Sequence, residues 1–464
     1  MPLRDRPLAY NFFIMNTPSH ISHGMWRHPE SRAVEYNDVK LWLEIALLAE
    51  KHHFDAIFFA DNFGMYSPIG GSCDIFVESA LQIPSSDPSM LLPAMAAATE
   101  HLGLVYTSSV LQQHPFPFAR QMSTLDHLSK GRIGWNMVSS FSENGFRSMG
   151  LDGLVEHDER YRWLAEYAEV VYKLWEGSWA EGAVLSDKTA GKYTDPRKLR
   201  RIHHVGERYK VEGPHLAEPS PQRTPVLFQA GASPAGMDFS ARNAEGTFLL
   251  SGKPEASAAQ IKKVKALAQS HGRDGEDIHF IEGLTFVVGS TEEEAQRKAA
   301  ELDEWVDIDA QMAVASGAMG LDLTKYGPDE PLINVLDEVQ GNRGGYIKMA
   351  IENAPKGKVP TIADMGKDQI HQWRVTGTPE TIADQINRYA DAGVTGINIM
   401  AITLPGSWSD FAEHVTPVLK ERGMMQREYR EGTLREKLFP GRGPFLEATH
   451  PGAGFRQSDQ YEEV

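Results

Sequence analysis

The chain has 464 residues, with 46 Lys and Arg against 63 Asp and Glu, a formal net charge of -17 and a single cysteine, Cys73. That acidity argues against nucleic acid or an anionic membrane as a main partner, and one cysteine leaves neither an intrachain disulfide framework nor a cysteine-rich metal site. No run approaches membrane length, and no apolar stretch follows Arg4 and Arg6 to make a signal peptide, so the expected setting is the reducing cytoplasm.

Leu8 to Ile14 reads as a first strand and Val39 to Glu50 as an amphipathic helix. Ala56 to Ala60 is a second, buried strand that stops at Asp61, and the Gly-, Ser- and Pro-rich stretch from Asn62 to Asp87 reads as a long loop of the kind that usually carries function. Ser89 to Glu100 returns as a helix, and Leu104 to Thr107 is a third strand running into Ser108 and Ser109. The fourth strand is the apolar run from Arg132 to Val138, which breaks into Ser139 and Ser140. A long helix follows, from Asp158 to Trp175. In its opening turn His157 and Tyr161 stand four residues apart, so both side chains point the same way.

Beyond an irregular region with a small hairpin around His203 to Glu212, Pro225 to Gln229 is a fifth strand, Thr247 to Leu250 a sixth, Ile278 to Val288 contains a seventh, and Gly396 to Met400 is an eighth. Helices at Ala256 to Ala268, Thr291 to Val306 and Pro379 to Ala392 lie between them, with Glu292 to Glu294 as an acidic first turn. Eight short apolar strands alternating with helices predict an α/β fold, a (β/α)8 TIM barrel with enlarged loops and insertions. The expected organisation is one barrel domain over residues 1–421 and a polar tail over 422–464. An insertion of about 307–376 carries Gly317 and Gly320 as hinges and Met312, Leu321, Leu323, Tyr346 and Met349 as a lining, and reads as a lid.

A barrel places its site at the C-terminal ends of the strands. That rim offers Asp61, Thr107, Ser108, Asn136, Ser139 and Gln229, hydrogen-bonding groups suited to holding a polar heteroaromatic ring, although each could simply cap an element. Gly231-Ala232-Ser233-Pro234 is sharper: Ser233 as N-cap with Pro234 at the first helical position opens a helix whose free N–H groups form a phosphate site. Many barrels hold phosphate after strands seven and eight, whereas this turn follows the fifth. His20 and His23 also fall on the rim. Together with His28 they match no metal spacing, so no metal is expected. Phe12, Phe58 and Trp135 read as core.

With these residues in hand, the chain resembles the bacterial-luciferase-like flavin monooxygenases, in the group of nitrilotriacetate, dibenzothiophene-sulfone and dimethylsulfide monooxygenases. The resemblance runs through Gly24-Met25-Trp26-Arg27-His28-Pro29, Phe58-Phe59-Ala60-Asp61, Thr99 to Leu104, Thr124 to Leu128, Gly131 to Ser140, His157 to Tyr161, Gln229 to Ser233 and Gly377-Thr378-Pro379, almost the whole chain in order. Tyr36-Asn37-Asp38 and Glu218 to Pro225 tilt it toward the dimethylsulfide type, and Ala318 stands where the dibenzothiophene-sulfone type carries histidine. The resemblance implies a two-component enzyme that takes reduced FMN from a separate NAD(P)H:FMN reductase and oxygenates a small organic substrate with O2 through a peroxyflavin, as a homo-oligomer, dimer or tetramer. It implies Asp61, Thr107, Asn136, His157, Tyr161, Ala232 and Ser233 as cofactor-binding residues, while His20, His23 and Asn136 are the catalytic candidates. The alternatives are a deazaflavin-dependent hydride-transfer enzyme on the same barrel and a non-catalytic flavin-binding protein.

Overall fold

The computed structural model describes residues 6–338, 344–354 and 357–457. Within the expected lining of the insertion, the side chains of Tyr346 and Met349 lie outside the described set.

Eight parallel strands close into a barrel: β1 (Ala9–Met15), β2 (Ala56–Ala60), β3 (Gly103–Ser109), β4 (Ile133–Val138), β5 (Val226–Gln229), β6 (Gly246–Leu249), β7 (His279–Val288) and β8 (Gly396–Met400). Each pairs with its neighbour in order, β1 with β8, β8 with β7, and β7 with β6 to complete the ring. Residues of β1, β3, β5, β6, β7 and β8 are buried throughout, as strands covered by helices outside and side chains inside must be. Phe13, Phe58, Phe228 and Phe248 fill the interior, with ring centroids 4.7 Å apart for Phe13 and Phe248 and 5.3 Å for Phe58 and Phe228. Phe12 and Trp135 are buried on the outer, helix-covered side.

The eight expected strands are all present, as are the acidic first turn at Glu292 to Glu294 and the hairpin, here His204–Val205 with Lys210–Val211. One barrel helix, Pro115–Leu128, has no counterpart in the sequence expectation. Its first turn contains Pro115 and Pro117, which read as loop, yet proline fits a helix start because the N–H groups there have no intrahelical partner. Its inner face also carries Ser123 and Asp126, both buried, so its apolar stripe is broken.

The described residues of 307–376 include the helices Ile308–Met319, Leu332–Glu338, Gly345–Asn353 and Ile362–His371, gathered around a small core of Met319, Leu323, Leu332, Val335, Ile347 and Met365. The segment ends in a short strand, Arg374–Gly377, paired with the outer half of β7.

Within residues 422–457 the chain crosses the N-terminal face of the barrel. Leu434, Leu438 and Phe439 join the barrel interior there. Arg435, fully buried, donates to Glu245 (2.6 and 2.8 Å), to the carbonyls of Thr224 and Pro225 (3.0 Å each) and to that of Pro444 (2.6 Å). This segment plugs the barrel bottom, a face where buried polar networks serve stability.

Candidate active site

At the opposite face, the ends of β2 to β5 surround a cavity of about 360 Å³ lined by Asp61, Thr107, Gln112, Ser139, Ser140, Phe141, His157, Arg160, Tyr161 and Gln229, among others. A wider vestibule of about 880 Å³ adjoins it, bounded by Tyr66, Phe141, His157, Ser233 and the insertion's Gly317 to Gly320. Both volumes fall in the usual range for small-molecule sites.

The strand ends are cross-linked by side chains. Thr107 Oγ1 donates to the Phe59 carbonyl (2.9 Å) and accepts from Asn136 Nδ2 (2.9 Å), which fixes the Asn136 amide and leaves its Oδ1 buried without a partner. Gln229 Oε1 is buried and unpartnered as well. Unsatisfied buried acceptors are uncommon in folded proteins, and these two stand on the neighbouring strands β4 and β5, that of Gln229 at the cavity and that of Asn136 behind its wall. Asn136 does not itself line the cavity; it lies one hydrogen bond behind Thr107, which does.

Asp61 Oδ2 accepts from Gln112 Nε2 (2.7 Å), Gln112 Oε1 accepts from the Ser109 N–H (2.6 Å), and Ser140 Oγ donates to Ser109 Oγ (2.6 Å). Burial pushes the Asp61 carboxyl up to about 6 from 3.8, against the Gln112 hydrogen bond, which lowers it. A carboxyl with a raised folded-state pKa holds its proton longer than the unfolded chain does, so its contribution to stability falls as pH rises from about 4 to about 6. Melting temperatures across that window should therefore favour Asp61→Asn increasingly over the parent; parallel curves would show that Asp61 is not raised.

The helix His157–Tyr172 begins beside this wall, N-capped by the Glu156 carboxylate, which accepts from the Asp158 and Glu159 N–H groups. His157 and Tyr161 share a face as expected, their rings 5.2 Å apart. Ser233 N-caps the helix Pro234–Asn243, accepting from the Gly236 N–H (3.1 Å), with Pro234 at the first position. Burial raises the Tyr161 pKa, and the neighbouring Ser233 and Gln229 side chains act against that rise. This close approach requires two glycines: a Cβ on Gly231 would lie 2.9 Å from the Tyr161 hydroxyl, and one on Gly236 would lie 2.7 Å from it. The structure thus brings Asp61, Thr107, His157, Tyr161 and Ser233 together. Ala232 is exposed between Gly231 and Ser233 and lines neither cavity.

His20 and His23 are not brought to this cavity. The His20 ring packs 5.3 Å from Phe13, and His23 Nδ1 shares a 2.7 Å hydrogen bond with Ser19 Oγ, while its carbonyl accepts from the Asp307 N–H. Burial lowers their pKa values to about 3 and about 4, which favours the neutral ring in both, and the His23 backbone carbonyl ties the first loop to the insertion. The rim position that suggested a catalytic part therefore gains no support from the geometry. Conversely, Gln112, Phe141 and Arg160 line the cavity without having been anticipated, and Ser140, the second of the hydroxyls that end the fourth strand, lines it as well. Of the unanticipated residues, only Arg160 had a usable signal, lying between His157 and Tyr161 in the same helical turn.

The Gln229 acceptor at the end of β5 and the capped helix N-terminus at Ser233 fit a flavin that carries a phosphate. The sequence pattern of the family described as "Luciferase-like monooxygenase" matches residues 15–396. The chain belongs to this family.

This luciferase-like monooxygenase is 39% identical to the dimethyl-sulfide monooxygenase of Hyphomicrobium sulfonivorans, over 97% of its own length and 94% of that protein, and the solved structure of the Hyphomicrobium enzyme superposes with a TM-score of 0.90. It is 40% identical to the long-chain alkane monooxygenase of Geobacillus thermodenitrificans, over 97% of its length and 98% of that protein; a solved long-chain alkane monooxygenase superposes with a TM-score of 0.88. A riboflavin lyase solved with modified FMN and riboflavin superposes with a TM-score of 0.89 at 35% identity, covering 98% of this chain and all (100%) of that one. These neighbours share the barrel and nearly the full length of this luciferase-like monooxygenase but differ in what their names say they act on, as expected when chemistry is set by loops around a common scaffold.

Proposed function

We propose that this luciferase-like monooxygenase is the oxygenase half of a two-component system, binding reduced FMN delivered by a separate NAD(P)H:FMN reductase and using O2 to oxygenate a small organic molecule, an organosulfur or related compound. We place it in the cytoplasm as a homo-oligomer. The observation that carries the reading is the pair of orphaned acceptors, Asn136 Oδ1 and Gln229 Oε1, beside a helix N-terminus reached by Tyr161 and Ser233. When bound, reduced FMN supplies the activation of O2. The protein's own work is to hold the ring and to keep water out. Thr107 fixes the Asn136 amide, Gln112 fixes Asp61, and Tyr161 with Ser233 would hold the phosphate end. Phe141 and Tyr66, with ring centroids 5.9 Å apart, give the vestibule an apolar wall against which a small uncharged substrate can lie.

Tyr161→Phe and Ser233→Ala are each expected to weaken FMN binding by about 1.5–3 kcal/mol, the range for a hydrogen bond to a charged group, without unfolding the barrel. Anaerobic titration checks this, and unchanged affinity in both variants would move the phosphate elsewhere. The parent protein should be nearly colourless as isolated, consume no NADH unless the reductase is added, and incorporate label from isotopic O2 into product. Hydride transfer without O2 uptake would support the deazaflavin alternative instead.

A further inference from the structure

Arg160 is a charged group of the cavity that is paired with no carboxylate among the described residues. It is 9% exposed and lines both the cavity and the vestibule. One terminal nitrogen donates to the Ser140 carbonyl, while Nε is buried with no hydrogen-bond partner. Among the described residues no carboxylate reaches ion-pair distance; Glu156 acts on it only from farther away, and burial pulls its pKa below the usual arginine value. Two of the other buried arginines are served more fully, whereas Arg273, which lines neither the cavity nor the vestibule, likewise has one carbonyl partner, that of Ala241, and an unpartnered Nε. Arg132 is surrounded by the Ala96, Thr99, Leu102 and Ser129 carbonyls and the Thr99 hydroxyl, and Arg435 has Glu245.

The guanidinium is also held in place at a cost. Ser140, which presents its carbonyl to Arg160, sits at φ 58, a left-handed conformation unusual for a residue with a side chain, and is anchored through Ser109. Strain of this kind persists where the surroundings over-determine it, and it concentrates at ligand sites. A buried cation without a counter-charge is unfavourable unless an anion arrives with the ligand.

We propose that Arg160 recognises the anionic isoalloxazine of reduced FMN and thereby sets the preference of the site for reduced over oxidised flavin. The inference rests on the flavin reading above and goes beyond it by assigning redox selectivity to one residue. Near neutral pH the reduced ring carries a negative charge on its pyrimidine portion and the oxidised ring carries none, so a cation at the cavity wall stabilises one form selectively. The phosphate cannot make that distinction, because it is the same in both forms. The inner cavity's carboxyl, Asp61, is held by Gln112, and the vestibule carboxylates Glu143, Glu156 and Asp158 bond to Arg147, to the helix N-terminus and to His157 rather than to Arg160, which leaves the arginine's charge available to the ligand.

The test compares dissociation constants of oxidised and anaerobically reduced FMN, and of riboflavin, for the parent, Arg160→Met and Arg160→Lys, together with the midpoint potential of the bound flavin. In Arg160→Met the ratio of oxidised to reduced constants should fall about tenfold, equivalent to about 30 mV toward negative potential for a two-electron couple, while Arg160→Lys keeps most of the parent ratio. Equal weakening of both redox forms would reduce Arg160 to a structural part and overturn the proposal. So would a loss confined to FMN and absent for riboflavin, which would make Arg160 a phosphate ligand. Failure of the parent itself to bind FMN in either state would instead overturn the flavin reading. Should Arg160→Met not fold, Arg160→Gln, which keeps a donor for Ser140, carries the same comparison.

Discussion

Replacing Arg435 with methionine is expected to cost about 3–5 kcal/mol of stability, the range for breaking a buried ion pair by removing one member. The reason is the number of groups that depend on this one side chain. Glu245 would lose both of its bonds to the guanidinium, and the Thr224, Pro225 and Pro444 carbonyls would lose a donor in a region closed to water. The paired substitution Arg435→Met with Glu245→Met leaves no isolated charge and should be less damaging than Arg435→Met alone. Urea midpoints of the parent, the two single variants and the double variant measure the coupling; additive losses would mean that the plug is not organised by this pair. Because the plug lies on the barrel face opposite the cavity, any Arg435→Met protein that remains folded at low temperature should bind reduced FMN with nearly parental affinity.

The second large effect concerns the insertion. The segment is tied to the rim by named contacts: the Asp307 N–H donates to the His23 carbonyl (3.0 Å), Gln311 Nε2 to the Ile21 carbonyl (3.1 Å) and the Gly70 N–H to Asp322 (3.0 Å). Gly317 packs so closely on Tyr66 that a Cβ there would come within 2.6 Å of it, and Gly317 to Gly320 bound the vestibule. Arg374 reaches Asp303 at 2.5 Å, so the two ends of the segment are neighbours and a short Gly-Ser linker can join them. Excising residues 308–371 this way should leave the proposed phosphate site at the Ser233 helix start and flavin affinity almost unchanged. Product formed per O2 should drop about tenfold or more, the missing oxygen appearing as hydrogen peroxide, because the cover that excludes water and holds substrate is gone. Product, peroxide and oligomeric state are measured together. Full coupling with loss of the oligomer would make the segment a subunit contact and reject the lid.

Much of this was legible in local sequence. A strand buried on both faces is an apolar run of limited length ended by polar residues, and that signal located all eight barrel strands from Ala9–Met15 to Gly396–Met400. The Ser233-Pro234 helix start was legible for the same reason: capping depends on residues a few positions apart. So was the common face of His157 and Tyr161, set by helical pitch alone.

What the sequence did not carry was decided by neighbours distant along the chain. Gln112 became part of the site because the end of β2 places Asp61 within 2.7 Å of it, and nothing local distinguishes it from the adjacent Gln113. His20 and His23 lie near the rim in sequence, but packing against Phe13 and hydrogen bonding to Ser19 direct them away from the cavity. The tail reads as polar and irregular, and only closure of the barrel creates the interior that Leu434, Leu438 and Phe439 fill and the Glu245 that Arg435 meets from 190 positions away. Sequence by itself determined the elements and their order, because dihedral preference, capping and apolar period act over a few residues. The tertiary structure alone decided which polar groups are satisfied and which, like Asn136 Oδ1 and Arg160 Nε, are buried without a partner, because burial is a property of the closed barrel.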